Sequence, residues 1–392
     1  MVLSRPPRPR SARQCADPTV LEQRAWIEID LAALTHNIGQ LKNWLAPGCK
    51  LMAVVKADAY GHGVSAIAPT ALAAGASSLA VATSQEGIEL RQLGITAPIL
   101  VLGAVNQAAE IEQLLTFDLQ PTLCTPQQAL IFSETLSCRS QTLGVQLNID
   151  TGMSRLGTDW QSALSFVQFV DQLPHLHIAG VYSHFATADE PDPHFMKVQH
   201  DRFKQMVTQL RAANLCPPCL HIANSAATLS DRTLHYDQAR VGLALYGLAP
   251  APHLRDRLSL RPILQVRARI TQVKTIAPGT GVSYGHKFVS DRPVKVAVVG
   301  IGYADGVPRL LTHKLKVLLR GQKITQIGAI TMDQLMIDVS HLENVQPGEV
   351  VTLLGQDGEQ SIGADDWAEA IGSISWEILC SFKQRLPRIY RS

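Results

Sequence analysis

Leu51-Met-Ala-Val-Val-Lys56-Ala-Asp-Ala-Tyr60-Gly-His-Gly63 is an apolar run of strand length that stops at a lysine and a glycine-containing turn. Seven more apolar runs follow it, and segments with the spacing of amphipathic helices separate them. The eight runs cover residues 51–55, 78–82, 99–102, 119–123, 143–149, 178–183, 220–223 and 241–246. Amphipathic stretches between them include residues 85–93, 126–136, 160–173 and 195–213.

This alternation of strands and helices predicts right-handed βαβ units around a parallel sheet. Eight strands are the number that closes a (β/α)8 barrel, and the span from about residue 50 to about residue 250 has the length that one needs. We therefore predict an α/β fold that begins with a (β/α)8 TIM barrel. An open, doubly wound sheet is the alternative that the pattern leaves.

The pattern changes after Pro250-Ala-Pro252, where short strands separated by turn residues replace the alternation. The predicted strands cover residues 263–270, 294–299, 316–319, 335–339 and 350–354, and a helix is predicted over 364–371. We expect the barrel over residues 24–257 and a mainly β C-terminal domain over 258–392. Residues 24–30 alternate like a strand, and we expect them to pair with the C-terminal domain.

The composition excludes several classes of function. The chain has 392 residues, with 35 Lys and Arg against 33 Asp and Glu, and therefore a formal charge of +2. Without a basic stripe, neither a nucleic acid nor a membrane surface is an expected partner. Seven cysteines, an odd number scattered over a long chain, favour a reducing compartment, and we expect a cytoplasmic protein.

The first residues differ from the rest of the chain. Residues 1–16 contain four arginines and three prolines but no acidic residue, and no apolar core of a secretory signal follows. We predict a disordered tail over residues 1–23, with an organelle transit peptide as the alternative. The longest uncharged stretch, residues 64–85, contains Pro69 and Gly75, so it is predicted as helix, turn and strand rather than a membrane span.

Barrel enzymes carry their reactive groups at the C-terminal ends of the strands. Lys56 directly follows the first predicted strand, where burial lowers the pKa of an ammonium group and favours a nucleophilic amine. A lysine that reaches solvent or pairs with Asp58 is the alternative. Small residues at Ser225-Ala-Ala and at Gly242 would let backbone N–H groups approach a phosphate. A phosphorylated cofactor beside a lysine indicates pyridoxal phosphate, held as a Schiff base.

Taken together, the motifs resemble those of the alanine racemases, two-domain pyridoxal-phosphate enzymes of fold type III. The resemblance covers the chain from about residue 24 to its end. The motifs are Val55-Lys56-Ala-Asp-Ala-Tyr60-Gly-His-Gly, Asp150-Thr-Gly-Met-Ser-Arg155-Leu-Gly, Ser183-His184-Phe-Ala, Ala223-Asn224-Ser225-Ala-Ala, Arg240-Val-Gly242-Leu243-Ala-Leu-Tyr-Gly, Gly281-Val-Ser-Tyr284-Gly, Gly302-Tyr303-Ala-Asp-Gly, Thr331-Met332-Asp-Gln and Arg385-Leu-Pro-Arg.

The resemblance implies two catalytic bases. Lys56 would bind the cofactor and handle the α-proton on one face of the substrate, and Tyr284 of a partner subunit would serve the opposite face. Two bases are needed because racemisation removes a proton from one side of a planar carbon and returns one to the other. Tyr284 needs a cationic setting to work as a base, and we expect His184 and Arg240 to provide it.

The resemblance also implies binding roles. Arg240 would face the pyridine nitrogen, where its positive charge disfavours protonation and limits side reactions. Arg155 would hold the substrate carboxylate, with Met332 and Tyr303 beside the substrate. The expected cofactor-binding residues are Lys56, Tyr60, His184, Asn224, Ser225, Arg240, Gly242 and Leu243.

Two positions depart from the family pattern. Asn148 stands where many members carry a carbamylated lysine, so Arg155 needs another partner, and we expect a bound anion such as chloride or a water network. Gln384 stands where a tyrosine is common. Because an amide can hydrogen-bond a hydroxyl group, serine is a possible substrate beside alanine.

The resemblance therefore implies a homodimeric alanine racemase that supplies D-alanine for peptidoglycan. The alternatives are a broader or serine racemase, a fold-type III decarboxylase and a non-catalytic pyridoxal-phosphate carrier. A carrier needs no Tyr284, and the cysteine–aspartate signature of the decarboxylases is not evident. No metal is expected, since Cys216-Pro-Pro-Cys219 lacks a second cysteine pair and precedes a strand.

Overall fold

The computed structural model of the protein describes residues 23–137, 139 and 141–392. The predicted N-terminal tail lies outside the described residues apart from Gln23. The described chain forms two compact units: Ile29–Leu264 with Tyr390–Ser392, and Gln265–Ile389 with the residues that precede Ile29. Within the described residues, no helix combines the length and the apolar character that crossing a bilayer requires.

The first strand among the described residues is β1 (Ala25–Asp30). Parallel strands then form the barrel unit, in the order β10-β2-β3-β4-β5-β6-β8-β9 along the described chain. Their bounds are β2 (Lys50–Val54), β3 (Ser78–Val81), β4 (Ile99–Ala104), β5 (Gln120–Leu123), β6 (Leu143–Asp150), β8 (Leu176–Tyr182), β9 (Leu220–His221) and β10 (Gln238–Val241). The two-residue β7 (Thr158–Asp159) pairs beside β6.

Backbone hydrogen bonds close the barrel between its last two strands. The N–H of Asp237 donates to the carbonyl of Leu220, and the N–H of Arg240 donates to that of Ala223, each over 3.0 Å. The predicted (β/α)8 barrel is therefore confirmed, and the open sheet is excluded.

Helices cover the outside of the barrel, and their apolar faces are buried. Phe132, Phe166 and Phe203 have at most 1% of their surface exposed. The helices are α1 (Leu31–Trp44), α2 (Val64–Ala73), α3 (Ser84–Gln92), α4 (Ala108–Thr116), α5 (Pro126–Thr135), α6 (Ala163–Asp171), α7 (His194–Ala212) and α8 (Ser225–Ser230). Caps define their starts: Thr83 and Glu86 form a reciprocal capping box at α3, and Thr125 caps α5 ahead of Pro126.

The eighth strand lies earlier than predicted. It covers Gln238–Val241, and the segment Leu243–Tyr246 forms a 3-10 helix. All four residues of that segment are buried and apolar, so their pattern does not distinguish a strand from a buried helical turn. The prediction of a strand over 241–246 is wrong for this reason.

The second unit contains a mainly antiparallel sheet in the order β19-β18-β15-β16-β17-β14-β11-β1-β20. Its later strands are β11 (Leu264–Ile276), β14 (Val294–Val299), β15 (Lys316–Leu319), β16 (Gln322–Ile327), β17 (Leu335–Asp338), β18 (Val350–Asp357), β19 (Gln360–Ile362) and β20 (Arg388–Arg391), and β12 (Gly281–Val282) pairs separately with β13 (Phe288–Val289). Two helices, α9 (Ala364–Ile371) and α10 (Ser375–Ser381), complete the unit. The predicted mainly β domain is confirmed.

One hydrophobic cluster on this sheet is aliphatic apart from a methionine. Val296 and Val298 of β14 pack with Met336 of the adjacent β17 and with Ile327 of β16, the next strand along. The sequence analysis singled out neither β16 nor α10. Each has at most seven residues, too few to establish a periodic pattern.

Candidate active site

Lys56 lies at the C-terminal end of β2 and opens a left-handed turn. Ala57, Asp58, Ala59 and Tyr60 all have φ between 53° and 54°, a region that L-residues other than glycine and asparagine avoid. Each such residue costs roughly 1–2 kcal/mol. A strained backbone of this kind persists only where its surroundings hold it, and such surroundings are typical of functional sites.

Hydrogen bonds from three side chains hold this turn. The carboxylate of Glu86 accepts the N–H of Ala57 over 2.7 Å, and it also accepts the N–H of Ala82 over 2.7 Å. Asp58 accepts the N–H of Val64 over 2.7 Å. The Nδ1 of His62 lies 2.8 Å from the carbonyl of Ala59, so this nitrogen carries the proton. The backbone at Lys56 is therefore held in place by Glu86 of α3 and by the loop that follows the turn.

A small cradle lies beside the turn. The Oγ of Ser225 accepts the N–H of Gly242 over 2.9 Å. A Cβ on Gly242 would lie 2.5 Å from the hydroxyl oxygen of Tyr60, so only glycine leaves this space open. Asn224 caps α8 through the N–H of Ala227, and Leu243 follows Gly242 as the first residue of the 3-10 helix. Tyr60, Asn224, Ser225, Gly242 and Leu243 thus come from neighbouring segments at one end of the barrel.

Arg240 is a buried cation whose partners are neutral. Its side chain donates to the carbonyl of Ser183 over 2.6 Å, to Nδ1 of His221 over 2.7 Å and to Nδ1 of His184 over 3.0 Å. Its residual exposure is 3%, and none of the described carboxylates pairs with it. Burial lowers the pKa of Arg240 to about 10. Its Nε–H makes no hydrogen bond within the described chain, so one donor remains for a ligand.

His184 does not supply the positive charge that the sequence analysis expected. Burial, and then the positive charges of Arg240, Arg155 and Lys56, lower the pKa of His184 well below its usual value. Its Nδ1 accepts a hydrogen bond from Arg240, which a doubly protonated ring could not do. The expectation of a cationic His184 is therefore wrong, and the local positive charge comes from the arginines and the lysine.

Arg155 projects from the loop after β6 and is exposed. Asp150 shapes that loop by accepting the N–H of Gly152 over 2.8 Å and that of Ser154 over 3.1 Å. Arg155 and the buried Asn148 line a common cavity of about 10 Å³, roughly the space of one water-sized species. In the described chain, neither side chain has a hydrogen-bond partner.

The remaining predicted residues lie in the second unit and are exposed. The side chain of Tyr284 is 72% exposed, that of Met332 is 52% exposed, and that of Tyr303 is 41% exposed. Backbone hydrogen bonds hold together the segments that carry Met332 and Tyr303. The N–H of Tyr303 donates to the carbonyl of Thr331 and the N–H of Ala304 to the carbonyl of Met332, each over 3.0 Å. Tyr284 and Thr331 line the same groove, about 840 Å³ in volume.

Asp305 supports these segments from within the second unit. Its side chain is fully buried and accepts two hydrogen bonds from Arg24, over 2.6 and 3.0 Å. It also accepts the N–H of Gly302 over 2.9 Å, and Arg385 lies 3.4 Å away. The Gly302–Tyr303 segment is therefore tied to two arginines that come from opposite ends of the chain.

The sequence analysis missed four residues that support the site. They are His221, Glu86, Gln199 and Asp305. Gln199 of α7 is fully buried and donates to the carbonyl of His184 over 2.9 Å. Gln199 lies among polar and apolar residues of a helix, and this pattern does not mark it as a functional residue. No group of three His, Cys, Asp or Glu side chains among residues 23–137, 139 and 141–392 is arranged to hold a metal ion.

The chain is similar to known proteins over nearly its whole length. Models of the N-terminal and C-terminal domains of alanine racemase match residues 29–250 and 263–390. An alanine racemase of Nostoc sp. is 59% identical over 381 residues, which cover 97% of this chain and 99% of that protein.

Solved structures agree with these matches. The alanine racemase of a D-cycloserine-producing Streptomyces lavendulae aligns with a TM-score of 0.89 at 35% identity, over 94% of this chain and 97% of that one. A histidine racemase from Leuconostoc mesenteroides aligns with a TM-score of 0.85 at 28% identity, over 95% and 99%. The family that the motifs indicate is confirmed: the chain belongs to the alanine racemases, a family of isomerases.

Proposed function

We propose that this chain interconverts L-alanine and D-alanine with pyridoxal phosphate as its cofactor. The observation that carries the proposal is the buried, acid-free Arg240, whose remaining Nε–H donor lies in a barrel with a lysine at the end of its first strand. A buried cation without a carboxylate is costly unless a ligand compensates it. An anionic cofactor with an aromatic nitrogen would compensate the charge of Arg240 and accept its Nε–H.

The residues of the barrel fit this cofactor. Lys56 offers an amine for the aldehyde of the cofactor, and Arg240 would donate its Nε–H to the cofactor nitrogen. The phosphate would be surrounded by Tyr60, Asn224, Ser225, Gly242 and Leu243. The space kept open by Gly242 supports the phosphate assignment. Once bound, the cofactor supplies an electron sink that acidifies the α-proton of the amino acid. His184, held neutral, would lie against it without adding charge.

Two residues would move the proton. We infer that the Lys56 amine removes or returns it on one face of the α-carbon and the Tyr284 phenol on the other. A single base would return the proton to the face it came from, so inversion needs the pair. Arg155 would orient the substrate by holding its carboxylate in bidentate form. Met332 and Tyr303 would close the substrate space.

A second copy of the chain would supply Tyr284, Met332 and Tyr303. The support is their high exposure together with that of Leu310, which is 71% exposed in the same unit. A unit that leaves several large apolar side chains exposed is typical of proteins that use such residues in a contact surface. A homodimer with shared sites follows from this proposal.

Arg155 would be balanced by an anion in the cavity beside Asn148. An amide N–H and a guanidinium on one water-sized cavity suit a monoatomic anion such as chloride. Bromide soaked into crystals of the protein should give anomalous density there. A water with no anomalous signal at this position would reject the anion.

Alanine is the proposed substrate, and serine is the second candidate. Gln384 is exposed at the end of the second unit, where its amide would be available to a hydroxyl group. The likeness to a histidine racemase supports testing other side chains. A serine kcat/KM negligible beside that for alanine would reject the second candidate.

D-alanine for peptidoglycan is the role we propose for the product, in the cytoplasm. Support for a reducing compartment comes from the cysteines of the described chain, since Cys49, Cys124, Cys216, Cys219 and Cys380 are free thiols.

The test is to follow L- and D-alanine in deuterated solvent with the wild type and with Tyr284→Phe. The variant should retain cofactor absorbance and exchange the α-proton of one enantiomer only, while racemisation falls by about 10²–10⁴-fold. A non-catalytic carrier would exchange neither enantiomer in the wild type. Unchanged racemisation in Tyr284→Phe would contradict the two-base assignment.

A further inference from the structure

Gln146 is a buried glutamine in the middle of β6, inside the barrel. Its exposure is 4%, and the pairing of β6 with β8 shifts register between Val145 and Gln146. Its partner on β8 is Gly180, where a Cβ would lie 2.3 Å from the Oε1 of Gln146. The glycine and the register shift both accommodate the amide, so its position is a built feature of the barrel.

A chain of hydrogen bonds connects this amide to Arg240. Arg240 Nη1 lies 2.7 Å from Nδ1 of His221, and Nε2 of His221 lies 3.3 Å from Oε1 of Gln146. The Nε2 of Gln146 then donates to Oε1 of Gln120 over 2.9 Å. The chain ends at a cavity of about 180 Å³, which Gln120 and Gln146 line.

Every donor and acceptor in this chain follows from the arginine. A guanidinium only donates, so Nδ1 of His221 must accept and carries no proton. The neutral ring then has its proton on Nε2, which needs an acceptor, and the oxygen of Gln146 is the atom that faces it. Turning the amide over would place its nitrogen, a second donor, against the Nε2–H, so the orientation with Oε1 towards His221 is the one that pairs both groups.

The surroundings of His221 leave it few alternatives. The ring is fully buried and stacks on Tyr182 at 4.9 Å between centroids and 11° between planes. The charged and titratable groups that face it are Arg240, whose guanidinium also lies 4.9 Å from the Tyr182 ring, and Tyr182 itself. Burial and Arg240 keep the pKa of His221 well below its usual value. No carboxylate of the described chain hydrogen-bonds to the ring.

We propose that Gln146 is a positioning residue that acts through His221: by accepting the Nε2–H it stabilises the imidazole tautomer that accepts from Arg240, and so keeps the Arg240 Nε–H directed at the cofactor nitrogen. This proposal rests on the proposed pyridoxal-phosphate function. It explains why the position holds an amide. A glutamate would draw a second proton onto the ring, which could then no longer accept from Arg240. An apolar residue would leave the Nε2–H buried without an acceptor.

The first measurement does not need the cofactor. In the full-length protein with ¹⁵N-labelled histidine, the two ring nitrogens of His221 are assigned by their loss in His221→Asn. The wild type should show one protonated and one unprotonated nitrogen from about pH 6 to pH 8. Gln146→Glu should show two protonated nitrogens. Gln146→Met, in which the new side chain has a similar volume, should lose the signal of the hydrogen-bonded Nε2–H. If Gln146→Glu does not fold, the Gln146→Met variant alone provides the test.

The second measurement tests the effect on the cofactor site. A displaced Arg240 would no longer withhold a proton from the cofactor nitrogen, so the side reaction that transfers the amino group of alanine to the cofactor and releases pyruvate should increase. We expect this side reaction to rise roughly tenfold relative to racemisation in both variants, with cofactor affinity roughly tenfold weaker. A residue that only fills space would change neither ratio.

Gln238→Met is the matched control, because Gln238 is also a buried glutamine of the barrel but donates to Ser78 over 2.7 Å and makes no hydrogen bond to His221. Identical His221 signals and identical product ratios in the Gln146 variants and in this control would overturn the proposal. Changed His221 signals with unchanged product ratios would overturn the link to the cofactor. A wild type that binds no pyridoxal phosphate but shows the expected ring protonation would instead contradict the proposed function.

Discussion

The two units carry their proposed functional residues in opposite ways. In the barrel, Arg240 is 3% exposed and the turn after Lys56 is held by side chains from other segments. In the second unit, Tyr284 and Met332 are more than half exposed, on short turns that backbone hydrogen bonds support. This difference supports the proposal that the barrel forms one half of the site internally and that the second unit presents the other half to a partner surface.

Removing Lys56 should have the largest effect on the barrel half. Lys56→Ala removes the amine proposed to bind the cofactor and one of the two bases, so kcat should fall by roughly 10³-fold or more. Lys50→Ala, at the start of the same strand and exposed, is the matched control and should retain activity. Activity assays with alanine and absorbance spectra of both proteins provide the measurement. Comparable activities in the two variants would remove Lys56 from the mechanism.

In the second unit the largest effect should come from the buried Asp305. Asp305→Asn removes the charge shared by Arg24 and Arg385, which are 39% and 43% exposed and therefore partly screened. The free energy of unfolding should fall by about 2–3 kcal/mol in urea titrations. Asp333→Asn breaks the exposed pair with the same Arg385 and should cost less than about 1 kcal/mol. Equal losses of unfolding free energy in the two variants would mean that the buried Asp305 stabilises this unit no more than the exposed Asp333 does.

Acid should destabilise the barrel at a higher pH than the second unit. Among the described residues, the histidines with a lowered pKa are His184, His200, His221 and His235, all in the barrel. The unfolded barrel binds more protons than the folded one once pH falls below about 6.5, so its stability decreases from there downwards. For the two most buried rings the loss from pH 6.5 to 5.5 is about 2 kcal/mol.

Hydrogen exchange at pH 7.5 and 5.5, corrected for intrinsic rates, measures this loss. Barrel amides should lose protection before those of the second unit. Equal losses in both units would contradict the assignment of the neutral histidines.

The smallest effect should come from the left-handed turn, and its sign is unusual. Ala57→Gly removes the Cβ from an exposed residue with φ of 53° and should stabilise the protein by about 1 kcal/mol. Ala66→Gly in α2 is the control and should destabilise it by a similar amount. Urea unfolding of both variants measures the two changes in the free energy of unfolding. Destabilisation by both would indicate that the turn carries no strain.

Much of the barrel could be predicted from the sequence, because its strands are continuous apolar runs that end in polar residues. Lys56 was singled out in this way, whereas Arg155 and Arg240 were proposed from the motifs that resemble the family. The left-handed turn could not be predicted, since Ala-Asp-Ala-Tyr contains no glycine and depends on Glu86 from a later helix. The neutral state of His184 likewise follows from burial beside three cations, which spacing along the chain does not reveal.

The central claim is that each site joins Lys56 of one chain to Tyr284 of another. Two differently tagged chains, one with Lys56→Ala and one with Tyr284→Phe, can be co-expressed and the mixed dimer purified. The account predicts about half of the wild-type activity, because one of the two sites regains both groups. Wild type paired with the double variant Lys56→Ala/Tyr284→Phe should be inactive. The reverse pattern, an inactive first pair and a half-active second pair, would show that both groups act from the same chain and would contradict the account.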